Sequence, residues 1–546
     1  MTYNNPNKKF RKMFSITMGL CRGDIYMPTH AFNIIDIIGR GHDDIIFKIE
    51  NGKNTGYFSE EVIEYMGKHG LERLYSKEFV ENNKKKVDKI GKELWSYSEY
   101  ITSLPIKHIE TEILLKHYNE LFKYIQKMFG YFNVSQPCIS FALEEEIAKK
   151  MKEHGLDADT QYKILNIMLK PDKTTLIEEE EKDLIKIALK IKADKRLFEL
   201  FQQPLNKIID ELHHLNNNNN NNNLINNNHD SNSYIYHNLF NELIIHENKY
   251  MFLASSENFD EFAREYFIDR IKDMIIKKKD ELEHEIISKT PDVIALSIER
   301  KKIMMKHALS SEVIHLIDVA REYSYQRMLI RIFLTKAINV WGKLLREFAR
   351  KMNISEVDVQ YLLKDEINAF FENKYVIEHN KLKKRKQLSI FAIFDRNKPI
   401  LLTGEEAREF KEQYLKEDLE ELSKKRFLKG TIVSKGFAKG KVKILAYGKN
   451  MVKQINEMEH GDVLVTGNTR PDMIIAMKKA SAIVTNEGGI MSHAALISRE
   501  LGIPCIVGTK DATEMFKDGD IVEVDADNGI VRKIKNLENT YRNKDE

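Results

Sequence analysis

The sequence predicts a multidomain protein with a mostly α-helical N-terminal and central region, followed by a compact α/β domain. At 546 residues, the chain is long enough for about two to four hydrophobic cores. No glycine lies between Gly155 and Gly342, and the abundant Lys, Glu, Leu and Ile of this span favour successive helices. By contrast, 12 of the 25 glycines lie between Gly430 and Gly529, where Val and Ile also become frequent. This change predicts strands and turns in the C-terminal part of the chain.

The N-terminal 100 residues carry mixed signals, so residues 1–100 are predicted as a mixed α/β or helical region. Ser59 and Ser76 are the clearest features there, because a serine hydroxyl can accept a hydrogen bond at the start of a helix. Residues 101–428 are predicted as a helical body. The longest helix in it is predicted from an apolar stripe formed by Leu329, Ile332, Phe333, Ala337, Val340, Trp341, Leu344, Leu345 and Phe348.

Two groups of charged residues in the helical body have open roles. Five arginines surround the predicted long helix, and each can contact a phosphate or form a solvated ion pair. They are Arg321, Arg327, Arg331, Arg346 and Arg350. The sequence does not select among them. The acidic run Glu144-Glu145-Glu146 has no partner motif for a metal site, so a solvated helix face is expected.

An unbroken asparagine run at 216–223, extended by Asn226-Asn227-Asn228, interrupts the helical body. Asparagine favours neither helix nor strand, and a homopolymer buries no apolar surface. Residues 216–233 are therefore predicted as a disordered insertion, with an aggregation-prone tract as the alternative. Residues 536–546 are predicted as a disordered tail.

The region 429–535 alternates between strand and helix signals. Asp462–Thr466 and Ala482–Val484 are predicted as short buried strands, and Thr469-Arg470-Pro471-Asp472 opens a helix between them. Asp527-Asn528-Gly529 then joins two further apolar runs, a pattern typical of a β-hairpin. Alternation of this kind predicts a compact α/β domain.

The strongest candidate site follows the predicted strand Ala482–Val484. Gly488 and Gly489 end that strand, and Ser492 is placed to cap a helix that begins at His493. A helix start offers unpaired N–H groups and the positive end of the helix dipole, and glycines let the backbone close around an anion. A neutral imidazole there can attack phosphorus and carry the phosphoryl group covalently. A surface histidine capping an ordinary helix is the alternative.

The stretch Gly488-Gly489-Ile490-Met491-Ser492-His493-Ala494-Ala495, continued through Arg499 to Gly502-Ile503-Pro504, resembles the phosphohistidine signature of the phosphoenolpyruvate-utilising enzymes. This family includes pyruvate phosphate dikinase, phosphoenolpyruvate synthase, enzyme I of the bacterial sugar phosphotransferase system and rifampin phosphotransferase. The resemblance implies that residues 429–535 are a swivelling phosphohistidine domain in which His493 is the catalytic phosphoryl carrier. It also implies a phosphoryl-binding role for Gly488, Gly489, Ser492 and Thr469.

One position departs from the family pattern. Two residues before the histidine the family usually has Thr or Ser, whereas this chain has Met491. An apolar residue there is similar to the rifampin phosphotransferase-like branch, and the helical region resembles modules that accompany stand-alone mobile domains. The departure bears on the substrate more than on His493, and it leaves open whether activity is retained.

Phosphoryl transfer in this family uses a nucleotide site, the carrier histidine, and an acceptor or phosphoenolpyruvate site, with Mg²⁺ neutralising charge. The glycine-rich ATP-binding domain of the family is not found before Gly430, and the chain ends soon after Ile534, where relatives continue into a phosphoenolpyruvate-binding barrel. We therefore expect Mg²⁺ and ATP or phosphoenolpyruvate at a donor site on a partner, an ATP-grasp-type or phosphoenolpyruvate-binding protein. No cofactor or metal is assigned to this chain.

Composition argues against other classes of function. A formal net charge of +3 lacks the basic excess of a nucleic-acid binder. No run reaches the ~20 apolar residues that span a bilayer. The basic cluster Lys8–Lys12 and the short apolar stretch Met13–Cys21 lack the cleavage site of a signal peptide. Three cysteines without Cys-x-x-Cys spacing fit a reducing compartment. These features predict a cytoplasmic protein without nucleic-acid or membrane partners.

Three hypotheses remain. The leading one is a phosphotransferase component in which His493 carries a phosphoryl group from a partner's donor site to a small-molecule acceptor held by the helical body. The second is a non-enzymatic regulatory or binding protein that retains the swivelling fold. The third is a self-sufficient small-molecule kinase resembling rifampin phosphotransferase, with a nucleotide site within residues 1–100.

Overall fold

The computed structural model describes residues 8–17, 19–134, 137–212, 231–254, 264–395, 398–415, 426–445, 451–469, 473–490 and 492–534. The chain forms two compact units. The first comprises Met1–Lys170, Glu257–Phe259 and Arg300–Glu546, and the second comprises Pro171–Ser256 and Asp260–Glu299. The asparagine run, the predicted tail and Met491 lie outside the described residues.

The first unit begins with a five-stranded antiparallel sheet, called the N-terminal sheet. Its strands follow the order β1-β3-β2-β4-β5. They are β1 Phe10–Thr17, β2 Ile45–Glu50, β3 Lys53–Ser59, β4 Leu388–Ile393 and β5 Ile400–Thr403. The mixed α/β prediction for residues 1–100 thus corresponds to three strands of a sheet that the chain completes more than 300 residues later.

Strands β4 and β5 lie within residues 101–428, where only helices were predicted. The apolar run Leu388–Ile393 is buried along its whole length. Ile390 and Ala392 face one apolar cluster, whereas Phe391 and Ile393 face another, because side chains alternate between the faces of a strand. A strand buried on both faces shows no polar alternation, and periodicity alone does not separate it from a short buried helix.

Helices cover the N-terminal sheet and build the helical body of the first unit. They are Leu20–Pro28, Ile35–Ile38, Glu60–His69, Lys77–Ser103, Thr111–Asn133, Pro137–Glu153, Ala158–Met168, Ser311–Met352, Glu356–Val359, Lys364–Phe371, His379–Gln387 and Glu405–Tyr414. Thr29–Asn33 and Gly70–Leu74 are π-helical turns, and Ile106–His108 is a 3₁₀ turn. Ser59 and Ser76 cap the helices that follow them, as predicted, by accepting hydrogen bonds from backbone N–H groups.

The 42-residue helix Ser311–Met352, called the long helix, organises the helical body. It packs against Lys77–Ser103 and Thr111–Asn133. Trp341 is fully buried and stacks on Tyr118 with ring centroids 5.8 Å apart. The predicted apolar stripe is therefore the face on which the core of this unit is built.

The second unit consists of helices. They are Leu176–Ala193, Lys195–Phe201, Ser231–Tyr250, Arg264–Ile276 and Lys279–Ser288, with the 3₁₀ turn Met251–Ala254. Helix Val293–Lys306 contains the boundary between the units. Inside the second unit, buried Glu180 accepts hydrogen bonds from Arg270 at 2.7 Å and pairs with His246 at 3.0 Å, so its charge is compensated. Residues 231–233, the end of the predicted disordered insertion, belong to a helix instead.

The C-terminal domain of the first unit, residues 427–534, contains an eight-stranded sheet in the order β6-β13-β12-β8-β9-β10-β11-β7. The strands are β6 Phe427–Lys429, β7 Thr431–Ser434, β8 Phe437–Leu445, β9 Val463–Thr466, β10 Ala482–Thr485, β11 Cys505–Val507, β12 Ile521–Asp525 and β13 Ile530–Lys533. Strands β8 to β11 run parallel in its centre. The predicted strands and the β12–β13 hairpin are thereby confirmed.

In the described part of this domain, the helices that accompany the sheet are Met451–Glu457, Ile474–Lys479, His493–Leu501 and Ala512–Met515. A mostly helical region followed by an α/β domain is the predicted fold class. Throughout the described part of the chain, each helix is too short or too polar to cross a membrane.

Candidate phosphoryl-carrier site

The candidate site lies where β10 ends and the helix His493–Leu501, called the carrier helix, begins. Residues 486–492 connect the two and are called the carrier loop. Gly488 has φ of +113°, a conformation that L side chains rarely adopt. Ser492 caps the carrier helix, as predicted, because its Oγ accepts a hydrogen bond from Ala495 N–H at 3.2 Å. Local sequence signals thus place His493 in the first turn of a helix.

Two of the predicted site residues are in direct contact. His493 Nδ1 lies 3.0 Å from the hydroxyl of Thr469, which follows β9 and is buried. The other ring nitrogen, Nε2, is buried and has no hydrogen-bond partner in the described structure. In the tautomer whose Nδ1–H donates to the Thr469 hydroxyl, the lone pair lies on Nε2.

The imidazole of His493 is neutral at ordinary pH. Burial lowers its pKa to about 3, and the positive charge of Arg331 contributes to the same shift. His493 as a residue is partly buried, and its Nε2 is fully buried. A neutral ring retains the lone pair that a nucleophile needs.

Two of the five candidate arginines face this region from the long helix. Arg331 is close enough to act on the pKa of His493, and Arg327 lies one helical turn before it. Burial lowers the pKa of Arg327 to about 10, Glu144 opposes that shift, and Arg331 reinforces it. These two guanidinium groups supply positive charge on the side of the site that the helical body contributes.

The remaining arginines show why sequence spacing does not identify this pair. Arg346 and Arg350 have the same i, i+4 spacing as Arg327 and Arg331. However, Arg350 forms an ion pair with Glu347 at 2.6 Å, and Arg321 forms one with Asp318 at 2.7 Å. Which arginines belong to the site depends on which part of the long helix faces the C-terminal domain. The residues that meet there are more than 150 positions apart in the sequence.

Glu144 is also part of the site, contrary to the expected solvated helix face. Its Oε2 accepts a hydrogen bond from Ile490 N–H at 2.9 Å. A Cβ at Gly489 would overlap the Glu144 carboxylate, so the absence of a side chain there permits this approach. Glu145 remains exposed, as expected.

Arg499 holds the carrier loop from within the C-terminal domain. Its Nη1 donates to the carbonyl oxygen of Ile490 at 2.9 Å, and its Nε donates to the carbonyl oxygen of Val433 at 2.9 Å. Burial lowers the pKa of Arg499. The predicted motif residue Arg499 is therefore a support for the loop backbone.

Further contacts join the C-terminal domain to the rest of the first unit. Glu514 pairs with Lys12 at 2.8 Å and with Lys53 at 3.3 Å, two residues of the N-terminal sheet. Burial alone would raise the pKa of Glu514, but Lys12 and Lys53 outweigh it and hold the pKa at about 2. Glu514 also accepts a hydrogen bond from Asn486 of the carrier loop at 3.0 Å.

The carrier loop offers no ligand set for the Mg²⁺ that the resemblance implies at a donor site. Glu144 accepts from Ile490 N–H, and Glu487 accepts from Asn468 at 3.1 Å. Across the described ranges, no three His, Cys, Asp or Glu side chains are arranged to hold a metal ion. No step of the chemistry here is therefore assigned to a metal held by this chain.

Comparison with known proteins bears on the region built around His493. Residues 458–529 match the family described as PEP-utilising enzyme, mobile domain. This confirms the resemblance. The match includes the whole segment from the strand before Thr469 to the turn after β12, and so contains the carrier loop.

Similar proteins include several phosphoenolpyruvate synthases. A probable phosphoenolpyruvate synthase of Archaeoglobus fulgidus is 48% identical over 135 residues, which is 25% of this chain and 17% of the relative. The Pyrococcus furiosus synthase is 48% identical over 124 residues, 22% of this chain and 15% of the relative. The Escherichia coli synthase is 49% identical over 106 residues, 18% of this chain and 13% of the relative.

The chain spans less than a fifth of the length of these relatives. Among solved structures, the holo form of aconitase X from Thermococcus kodakaraensis aligns with 20% of this chain and 98% of its own, at 22% identity and a TM-score of 0.16. The family match at residues 458–529 lies within the C-terminal domain.

Proposed function

We propose that this chain is a phosphotransferase component in which His493 carries a phosphoryl group between a donor site and an acceptor. The observation that carries the proposal is a neutral imidazole whose Nε2 is buried without a hydrogen-bond partner in the described structure, and whose pKa the positive charge of Arg331 of the helical body helps to lower. The donor, ATP or phosphoenolpyruvate with Mg²⁺, belongs to a partner protein. The acceptor is a small molecule bound by the helical body.

The chemistry follows from the two ring nitrogens. With Nδ1–H donating to Thr469 Oγ1, the lone pair on Nε2 attacks phosphorus; the N–P bond forms as the O–P bond of the donor breaks. In the second transfer, an acceptor hydroxyl attacks the phosphoryl group, the N–P bond breaks, and its electron pair returns to Nε2. The hydroxyl proton passes to water, so Nε2 regains the lone pair with which it began. Arg331 and Arg327 stabilise the charge on the transferring oxygens.

Incubation with a donor tests this proposal directly. The full chain is mixed with ATP or phosphoenolpyruvate, Mg²⁺ and candidate donor proteins, and its intact mass is measured. We expect a gain of one phosphoryl group that is stable in base, is lost in acid, and is absent from His493→Ala. A chain that stays unmodified with each donor argues against a carrier.

The burial of Nε2 favours one alternative, a regulatory or binding protein that retains the swivelling fold. In that case the docked C-terminal domain is a fixed part of the molecule, and His493→Ala leaves the cellular phenotype unchanged while substitutions in the helical body do not. A self-sufficient kinase is the third candidate, and tight binding of ATP to the isolated chain would distinguish it.

A further inference from the structure

The backbone of Ile490 is hydrogen-bonded on both sides. Its N–H donates to Glu144 of the helical body at 2.9 Å, and its carbonyl oxygen accepts from Arg499 of the C-terminal domain at 2.9 Å. Ile490 lies three residues before His493. Because a hydrogen-bonded peptide has little freedom to rotate, these two bonds hold the backbone of the carrier loop at Ile490.

The same point of the loop is packed against apolar side chains from both sides. The side chain of Ile490 contacts the core cluster of the helical body and that of the C-terminal domain. At Gly489 the carboxylate of Glu144 takes the space of a side chain. The contact therefore combines shape, apolar burial and a charge-assisted hydrogen bond, the features of a specific docking point.

Charge gives Glu144 a second effect. Its carboxylate favours the charged forms of Arg327 on the long helix and of Arg499 on the carrier helix. These guanidinium groups belong to the two parts that meet at the carrier loop. A negative charge between them offsets the repulsion that would otherwise oppose docking.

We propose that Glu144 is a positioning residue for phosphoryl transfer: it seats the carrier loop on the helical body so that Nε2 of His493 faces Arg331. This inference rests on the proposed function, because it treats the docked arrangement as the one in which His493 passes its phosphoryl group to the acceptor. The bond to Ile490 N–H is replaced by water when the domain leaves, so docking stays reversible.

The test compares Glu144→Ala and Glu144→Gln with the matched control Glu145→Ala, an exposed neighbour on the same helix. Acylation of His493 by diethyl pyrocarbonate, followed by mass spectrometry on the unphosphorylated full chain, reports exposure of the ring. Amide hydrogen exchange at Ile490 reports the bond itself. We expect Glu144→Ala to raise both rates by about tenfold, Glu144→Gln to raise them less because it keeps an acceptor oxygen, and the control to match the wild type.

The readouts separate this inference from the proposed function. Equal acylation and exchange rates in wild type, Glu144→Ala and the control would overturn the positioning role, even where His493 takes up a phosphoryl group normally. Faster rates in Glu144→Ala support docking through Glu144 even where no donor phosphorylates His493. Should Glu144→Ala unfold, the same comparison is made with Glu144→Gln. In that variant, unchanged rates of exchange at Ile490 and of acylation at His493 would indicate that the charge of Glu144 has no part in docking. That result would contradict the inference.

Discussion

The hydroxyl of Thr469 contacts Nδ1 of His493, and under the proposed function this contact selects the nitrogen that reacts. A neutral imidazole has one N–H and one lone pair, and the hydrogen bond made by one nitrogen fixes the state of the other. When Nδ1–H donates to Thr469 Oγ1, the lone pair lies on Nε2, which is buried and has no hydrogen-bond partner in the described structure. Thr469 therefore acts on the chemistry through the imidazole.

Thr469→Val tests this role. Valine has a similar shape but cannot accept the hydrogen bond, so both tautomers become populated and ring orientation is lost. We expect phosphorylation of His493 to slow by about tenfold, since one hydrogen bond contributes about 1 kcal/mol. Thr469→Ser keeps the hydroxyl and should retain most of the rate in the same assay. A valine variant as fast as wild type would show that Thr469 does not control the tautomer.

Arg331→Gln should raise the pKa of His493 from about 3 toward its ordinary value of 6.5, without reaching it. The reason is that burial, the larger cause, remains after the charge has been removed. An NMR titration of histidine-labelled protein measures the shift, and Arg321→Gln on the same helix is the control. An unchanged pKa would place Arg331 too far from the ring to act on a bound phosphoryl group.

The low pKa of His493 also sets the direction of a pH effect. Release removes the charge of Arg331 and the burial that the helical body supplies, so the pKa of the released ring lies above the docked value of about 3 and toward the ordinary value of 6.5. Protonation therefore favours release as the pH falls through this range. Docking is accordingly strongest at and above neutral pH.

At the scale of elements, local sequence signals predicted the part of the site that is built from residues close together in the chain. Two glycines, a capping serine and an apolar helix face placed His493 at a helix start, and Asp527-Asn528-Gly529 placed a hairpin. Strands β4 and β5 escaped prediction because β4 pairs with β2, which lies far away in the chain, and β5 pairs in turn with β4. Arg327, Arg331 and Glu144 could not be selected for the same reason: their relevant neighbours are more than 150 residues away.

The ion pairs between the N-terminal sheet and Glu514 belong to this scale. Glu514→Lys places a third positive charge beside Lys12 and Lys53, so we expect looser docking and faster acylation of His493 by diethyl pyrocarbonate. Adding Lys12→Glu and Lys53→Glu should restore the slow rate. Glu523→Lys, on the hairpin of the same domain, is the control. A triple variant as reactive as the single one would mean that these charges do not hold the domain.

For Glu514 the pH effect has the usual sign for a stabilised carboxylate. Its pKa of about 2 lies below the ordinary value of 4.5. The pairs with Lys12 and Lys53 therefore contribute fully above pH 4.5, and this contribution is lost as the pH falls through about 2. As the pH falls, docking is weakened first by protonation of His493 and then by protonation of Glu514.

At the scale of the whole molecule, the proposed function makes the docked arrangement one half of a transfer cycle. Nε2 of His493 is buried in this arrangement, so under that proposal a donor on another protein reaches it after the C-terminal domain has moved. Small contacts of the kind seen at Ile490 and Glu514 are consistent with such movement, since each exchanges with water at little net cost. The family match lies within the C-terminal domain, and the proposed function assigns acceptor binding to the helical body.

The measurement that tests the central claim most directly is the modification state of His493 in the protein purified from its own cells. Purification and peptide mapping are carried out at alkaline pH, because phosphohistidine is lost in acid. The carrier role predicts a phosphoryl group on the peptide that contains His493, bound to Nε2, in a measurable fraction of the chains. Unmodified His493 under every growth condition, together with a phenotype that His493→Ala leaves unchanged, would contradict it.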